Sequence, residues 1–387
     1  MTGVAVGADP VRIAQAVGSS VARPAADSVD RETRFPREAF AALREERMLS
    51  AAVPLEFGGR GASFPEIAAV CQELGRHCAS TAMVYAMHQI QVGCLVRHGR
   101  TVPFIRNFLA ELAAKEFLLA SATTEVGVGG DVRTSICAVD RRGPRFTLVK
   151  QAPVISYGEE ADGVLATARR TPDAAGNDQV MVLLTRPDFT LVRTGGWDSL
   201  GMRGTMSLGY TLSAEAMAEQ ILPVPYGEMS SQTMLPYSHI LWSSLWAGIA
   251  GDSVNRARAF VRGEARKKPG TMPPMALRLA EVVAKLQTMR AGVQDGIAEY
   301  ERIMDDPEAL SGLGFALRMN NLKIATSTAA VSVVGDALGV IGLLAYKNDS
   351  KYSLGRHLRD AHSAALMIAN DRIYAANASM LLIQKDD

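Results

Sequence analysis

Apolar positions recur every three to four residues through most of this chain, and every second residue through a shorter middle stretch. Asp9-Pro10 reads as an N-cap followed by proline at the first helical position, which opens a helix to about Ala22. A second helix is expected over 36–47, with Phe40, Leu43 and Met48 on one face. After a glycine-punctuated turn around Gly58-Gly59-Arg60-Gly61, helical patterning resumes at Ser63-Phe64-Pro65 and runs to about Lys115.

From Phe117 the period changes. The runs 146–149, 164–168, 180–184 and 189–192 are short, strand-like and separated by Gly, Pro and Asp. Long helices return after Pro236. Leu279, Val282, Leu286, Met289, Val293, Ile297 and Tyr300 mark one face of a long packed helix. Further helices are expected over 313–340 and 360–383. Small residues at Ser243, Ala247, Gly248, Ala250 and Gly251 let another helix approach closely. The predicted fold class is α+β, mostly α: an N-terminal helical domain (1–116), a middle antiparallel β-barrel or sheet domain (117–228) and a C-terminal four-helix bundle (229–387).

Composition adds exclusions. The 387 residues carry 41 Lys and Arg against 40 Asp and Glu, net +1, so no basic stripe supports nucleic-acid binding. The 48% apolar content suits a well-buried globule. No apolar run is expected to span a bilayer, since the best, 329–346, carries Asp336. The N-terminus lacks a basic segment followed by an apolar one, and a cytoplasmic location is expected. Cys71, Cys78, Cys94 and Cys137 match no zinc or redox spacing and read as buried free thiols. No metal site is expected.

Four short motifs in order carry a resemblance. Phe57-Gly58-Gly59-Arg60-Gly61 resembles an EYGGLG turn, and Thr124-Glu125-Val126-Gly127-Val128-Gly129-Gly130-Asp131 a TEPxAGSD segment. Leu200-Gly201-Met202-Arg203-Gly204-Thr205 resembles an LGxRGT strand, and Arg356-His357-Leu358-Arg359-Asp360-Ala361 an RxxRDA segment. Together they resemble the acyl-CoA dehydrogenase family over nearly the whole chain. The resemblance implies a flavoprotein oxidoreductase holding FAD, with FMN as an alternative. Thr123 and Thr124 would then face the flavin ring, as would Ile155 and Ser156 from a segment where the family has WITNG. Gly130 stands in place of a serine and Val154 in place of the tryptophan. Arg266 stands near the arginine that reaches the flavin phosphates, although Glu264 takes that place in ungapped register. Gly342-Leu343-Leu344-Ala345-Tyr346 is an altered GGxGY.

Removing a proton beside a thioester carbonyl needs a carboxylate over the carbon chain. The resemblance places the family's glutamate at Ile368, within Leu366-Met367-Ile368-Ala369-Asn370, where no carboxylate stands. The alternative base position falls near Ser238-His239. Asp371 and His239 are therefore the candidate catalytic residues, with Asp371 equally a surface partner for Arg372. His88, Arg203 and Thr205 are candidate substrate contacts, His88 weighed against a packed core histidine. Glu125 reads as a backbone brace.

Three readings follow. The first is dehydrogenation of an acyl thioester, carried by CoA or an acyl carrier protein, with a relocated base; it is narrowly preferred. The second is a reduced-flavin monooxygenase served by a separate flavin reductase. The third is a non-catalytic subunit paired with a paralogue. A homodimer or homotetramer is expected in any case, because the family's site is completed by a neighbouring subunit.

Overall fold

A computed structural model describes residues 9–129 and 131–383. The first helix, α1 (Pro10–Val17), starts where Asp9 accepts from the Val11 amide. It runs through a π-turn (Gly18–Ala22) into α2 (Arg23–Glu32), one turn type after another without a break. Then come α3 (Arg37–Glu45), α4 (Phe64–Gly75), α5 (Ala79–His98) and α6 (Pro103–Lys115). Ser63 and Glu66 form a reciprocal capping box at the head of α4, which satisfies amides that would otherwise be unpaired.

Among its described residues the middle segment holds two separate sheets and no closed barrel. One is ordered β1 (Leu119–Ala122), β4 (Gly163–Arg169), β5 (Gln179–Thr185), and its β1–β4 pairing is parallel. The other is antiparallel, ordered β2 (Asp140–Arg142), β3 (Arg145–Ile155), β7 (Leu208–Met217), β6 (Phe189–Gly195). The register of β3 against β7 slips between Ala152 and Ile155. That bulge leaves Val154 half-exposed beside a fully buried Ile155.

The C-terminal helices begin with a short α7 (Tyr226–Met229) and the long α8 (Leu235–Lys267) and α9 (Ala276–Ile303). They continue with α10 (Pro307–Ser311), α11 (Leu313–Ile341), α12 (Leu343–Tyr346), α13 (Gly355–His362) and α14 (Asn370–Leu381). By length and composition α11 is apolar enough to cross a membrane. Its apolar side chains instead pack against α8 and α9. The small face of α8 serves a contact inside the chain: a Cβ on Gly248 would lie 2.1 Å from the Gln72 carbonyl oxygen of α4. All four cysteines are free and buried.

Two expectations need correcting. The segment read as an LGxRGT strand is a turn, with a short 3-10 helix over Arg203–Thr205, and β7 begins only at Leu208. The expected helix over 360–383 is broken between α13 and α14 by the turn 363–369. Ile368 there has φ +49°, a strained conformation for a β-branched residue, so a continuous helix cannot pass.

Candidate active site

β1 delivers Thr123 and Thr124 to the mouth of the middle domain. Thr124 Oγ1 donates to the Val154 carbonyl at 3.0 Å, and the Val126 amide donates to Gln151 at 2.9 Å, so the loop is stitched to the end of β3. Thr123 is half-buried and makes no hydrogen bond among the described residues. Glu125 accepts from Ser135 Oγ (2.6 Å), the Cys137 amide (2.6 Å), the Ile136 amide (3.1 Å) and Lys150 Nζ (3.2 Å). Burial opposes its charge, but Ser135 and Lys150 outweigh that and hold the carboxyl below its ordinary range. It braces the loop as expected. Gly130 lies outside the described residues.

Ser156 is 7% exposed, and its hydroxyl meets Ser207 Oγ at 2.8 Å. Tyr157 donates its amide to the Thr205 and Met206 carbonyls at 2.8 and 3.1 Å. Tyr157, Met202 and Met206 all have positive φ, so backbone strain gathers where β3 meets the 202–206 turn. Ile155 has its side chain in the core, which leaves only its backbone for a cofactor.

Arg203 and His88 are placed otherwise than the substrate channel requires. The Arg203 guanidinium donates to the Asp30 carbonyl (2.9 Å), Asp198 (2.8 Å), the Ser199 carbonyl (2.7 Å) and Thr33 Oγ1, and so ties the turn to the end of α2. Four of its five N–H donors are thereby taken, which leaves one Nη2 hydrogen. His88 is fully buried: the Leu119 amide donates to Nδ1 at 3.0 Å, so Nε2 carries the proton and donates to the Leu49 carbonyl at 2.7 Å. Both ring nitrogens are spent, and burial pushes the imidazole down to about 4. Thr205 is 3% exposed and hydrogen-bonded to Met202 and Ser207. It belongs to the wall behind Ser156.

The opposite edge is helical. His239 is 2% exposed in α8 and pushed down to about 3, by burial first and by Lys323 second, so its imidazole is a weak base. Asp371 is exposed in the first turn of α14. Its neighbour Arg372 reaches across to the Gly129 carbonyl rather than to Asp371, joining α14 to the Thr124 loop. Asp360 is buried at 2% exposure, accepts from the Met202 amide at 2.7 Å and is pushed up to about 6 by burial.

Lys323 was not singled out in the sequence. It is fully buried in α11, and its ammonium donates at 2.7 Å to both the Ile368 carbonyl and Asn370 Oδ1. Among the described residues no carboxylate pairs with it, and burial pushes it down to about 8. The position implied for a catalytic glutamate is therefore a strained backbone turn held from beneath by a cation. A lone lysine between Leu322 and Ile324 in an apolar helix was the available signal.

These edges fit the ring end of a flavin. Val126 and Val154 beside the Thr124 loop, and Leu366 and Ile368 in the turn before α14, are exposed apolar side chains, and the Arg372 bond to Gly129 brings α14 against that loop. An apolar slot with few polar groups suits a flat heterocycle. The adenosine end fits less well. Arg266 is exposed at the end of α8, and Lys267 is occupied by Glu264 at 2.6 Å.

The family model described as "Acyl-CoA dehydrogenase, N-terminal domain" matches residues 12–116, and "Acyl-CoA dehydrogenase, C-terminal domain" matches residues 227–368. The chain belongs to the acyl-CoA dehydrogenase family. It is thus a flavoprotein oxidoreductase. Similar sequences include the amino sugar nitrososynthase DnmZ of Streptomyces peucetius, 24% identical over 87% of this chain and 84% of that protein. Another is a probable acyl-CoA dehydrogenase, FadE25, of Mycobacterium tuberculosis (strain ATCC 25618 / H37Rv), 24% identical over 93% and 91%. FMN-bound TdsC from Paenibacillus sp. A11-2 shares the fold with a TM-score of 0.81, at 18% identity over 98% of each chain. KijD3, solved with FMN and a dTDP-linked amino sugar, does so at 0.81 and 20% identity over 98% and 96%.

Proposed function

We propose that this family member is a monooxygenase that uses reduced flavin, most simply FMN, supplied by a separate reductase. The observation that carries the reading is the 363–369 turn. It presents the Ile368 backbone over the Lys323 ammonium and offers no carboxylate. Abstraction of an α-proton needs a base within hydrogen-bond reach of the substrate carbon. Asp360 faces the Met202 amide, Asp371 faces solvent, and His239 is weakly basic. Oxygen insertion has no need of that base.

The flavin would supply the oxygen chemistry. Thr124 and Ser156 would hold its polar edge, and Val126, Val154, Leu366 and Ile368 would keep water from it. FMN is preferred because Lys267 is already paired with Glu264, away from any second phosphate. The similarity to a nitrososynthase and to the fold of a protein described as a dibenzothiophene monooxygenase supports the same side. The named acyl-CoA dehydrogenase relatives support the other.

The test is a pair of measurements on flavin-loaded protein. Under anaerobic conditions a panel of acyl-CoA thioesters is expected to leave the visible flavin bands unchanged. With a flavin reductase, NADH and O₂, a panel of amines, indoles and thiophenes is expected to yield an oxygenated product. Bleaching by any thioester would overturn the reading and restore the dehydrogenase.

A further inference from the structure

Three buried hydroxyls stand in single file behind the middle-domain edge. Ser156 Oγ lies 2.8 Å from Ser207 Oγ, Ser207 Oγ lies 2.8 Å from Thr205 Oγ1, and Thr205 Oγ1 lies 2.8 Å from the Met202 carbonyl oxygen. Their residues are 7%, 5% and 3% exposed. A carbonyl oxygen carries no hydrogen, so the last contact takes the single hydroxyl hydrogen of Thr205. Thr205 then meets Ser207 only as an acceptor, and the Ser207 hydrogen must point to Thr205. Ser207 in turn can only accept from Ser156. The direction of every link is dictated by the one after it. At the Ser156 end of the file no hydrogen is left to donate, and only lone pairs remain to offer.

We propose that Ser207 and Thr205 are positioning residues that lock the Ser156 hydroxyl as an acceptor toward the flavin ring, so that the site favours reduced flavin over oxidised flavin. N5 of oxidised flavin bears no hydrogen and calls for a donor, whereas N5 of reduced flavin bears one and calls for an acceptor. The inference rests on the flavin lying beside Ser156, and it deepens the monooxygenase reading, since an enzyme handed reduced flavin must hold that form. Reversing the file would turn the Thr205 and Met202 oxygens on each other at 2.8 Å with no hydrogen between them. The turn that aligns the file is itself strained, with Met202 at φ +53° and Met206 at φ +46°. Strain of this kind persists where surrounding contacts over-determine it, and here Tyr157 donates to the Thr205 and Met206 carbonyls.

The test is the ratio of dissociation constants for oxidised and reduced FMN, measured anaerobically by equilibrium ultrafiltration. The wild-type ratio is expected above one. Ser207→Ala removes the acceptor that holds the Ser156 hydrogen, and the ratio is expected to fall about fivefold, the size of one hydrogen bond. Thr205→Val keeps the side-chain shape, is expected to shift the ratio in the same direction, and carries the comparison if Ser207→Ala does not fold. Thr205→Ser restores the hydroxyl and is expected to restore the ratio. General loosening would weaken both forms together and leave the ratio unmoved. A ratio unchanged in both removal variants, or a wild-type ratio at or below one, overturns the proposal. The monooxygenase reading would fall instead on thioester bleaching, so the two fail separately.

Discussion

Two buried charges, on neighbouring helices, live in opposite circumstances. Asp252 of α8 is 4% exposed and accepts from Arg23 (2.9 Å), Arg256 (2.9 Å) and His357 Nε2 (2.8 Å), which ties α2, α8 and α13 together. Burial alone would raise its pKa, yet those three partners hold it far below the usual carboxylate range. Lys323 of α11 is as deeply buried but has neutral partners: an amide oxygen, a backbone carbonyl and the Trp246 ring at 6.0 Å. A buried charge ringed by opposite charges is a fastener. One left with neutral partners, as Lys323 is beneath the Ile368 turn, fastens no opposite charge and is the kind of group that sites for chemistry gather.

The sharpest way to break the comparison is Asp252→Ala. It strands Arg23 and Arg256 without their anion and is expected to cost about 3–5 kcal/mol in urea unfolding. A loss below about 1 kcal/mol would mean that the knot fastens nothing.

Acid probes the other charge. His239 beside Lys323 is held neutral, with a folded pKa of about 3 against an unfolded value of about 6.5. A depressed pKa contributes stability that is present above pH 6.5 and lost as pH falls toward 3. His239→Gln is therefore expected to spare about 2–3 kcal/mol of the wild-type loss between pH 6.5 and 4. Equal acid sensitivity of variant and wild type would place the loss at other groups.

Asp360 has the opposite sign. Its folded pKa of about 6 exceeds the unfolded value of about 3.9, so the stability it contributes is full below pH 3.9 and lost as pH rises through 6. Asp360→Asn keeps the acceptor for the Met202 amide. It is expected to gain about 2 kcal/mol relative to wild type on going from pH 4 to pH 8, read from paired unfolding curves.

The smallest effect on stability is expected from Lys323→Met. Replacing a buried, unpaired ion by an apolar chain of similar length is often nearly neutral, within about 1 kcal/mol. Turnover should suffer more, since the Ile368 turn loses its anchor. A stability loss matching that of Asp252→Ala would erase the distinction between the two charges.

Much of the frame was legible from residue pattern. The Asp9-Pro10 start, the resumption of helix at Ser63-Phe64-Pro65, the long face of α9, the helix over 313–340, and Glu125 as a brace all follow from local chemistry, and the structure bears them out. The candidate site was legible only in part. Arg203 and His88 carry chemistry that suits a substrate, yet Asp30 and Thr33 claim one and the backbone at Leu49 and Leu119 claims the other. Motif position says where a side chain starts. It does not say which distant atom has already taken its hydrogen bonds.

The sequence by itself determined the order of helices and strands, and the absence of a carboxylate at Ile368, because periodicity and motif spacing are local properties of the chain. Only the tertiary structure decided that Lys323 lies under that turn, 45 residues away, and that Ser156 meets Ser207 across 51 residues. Buried polar groups must find partners wherever packing brings segments together. Those meetings join elements far apart in the chain, so no local pattern announces them.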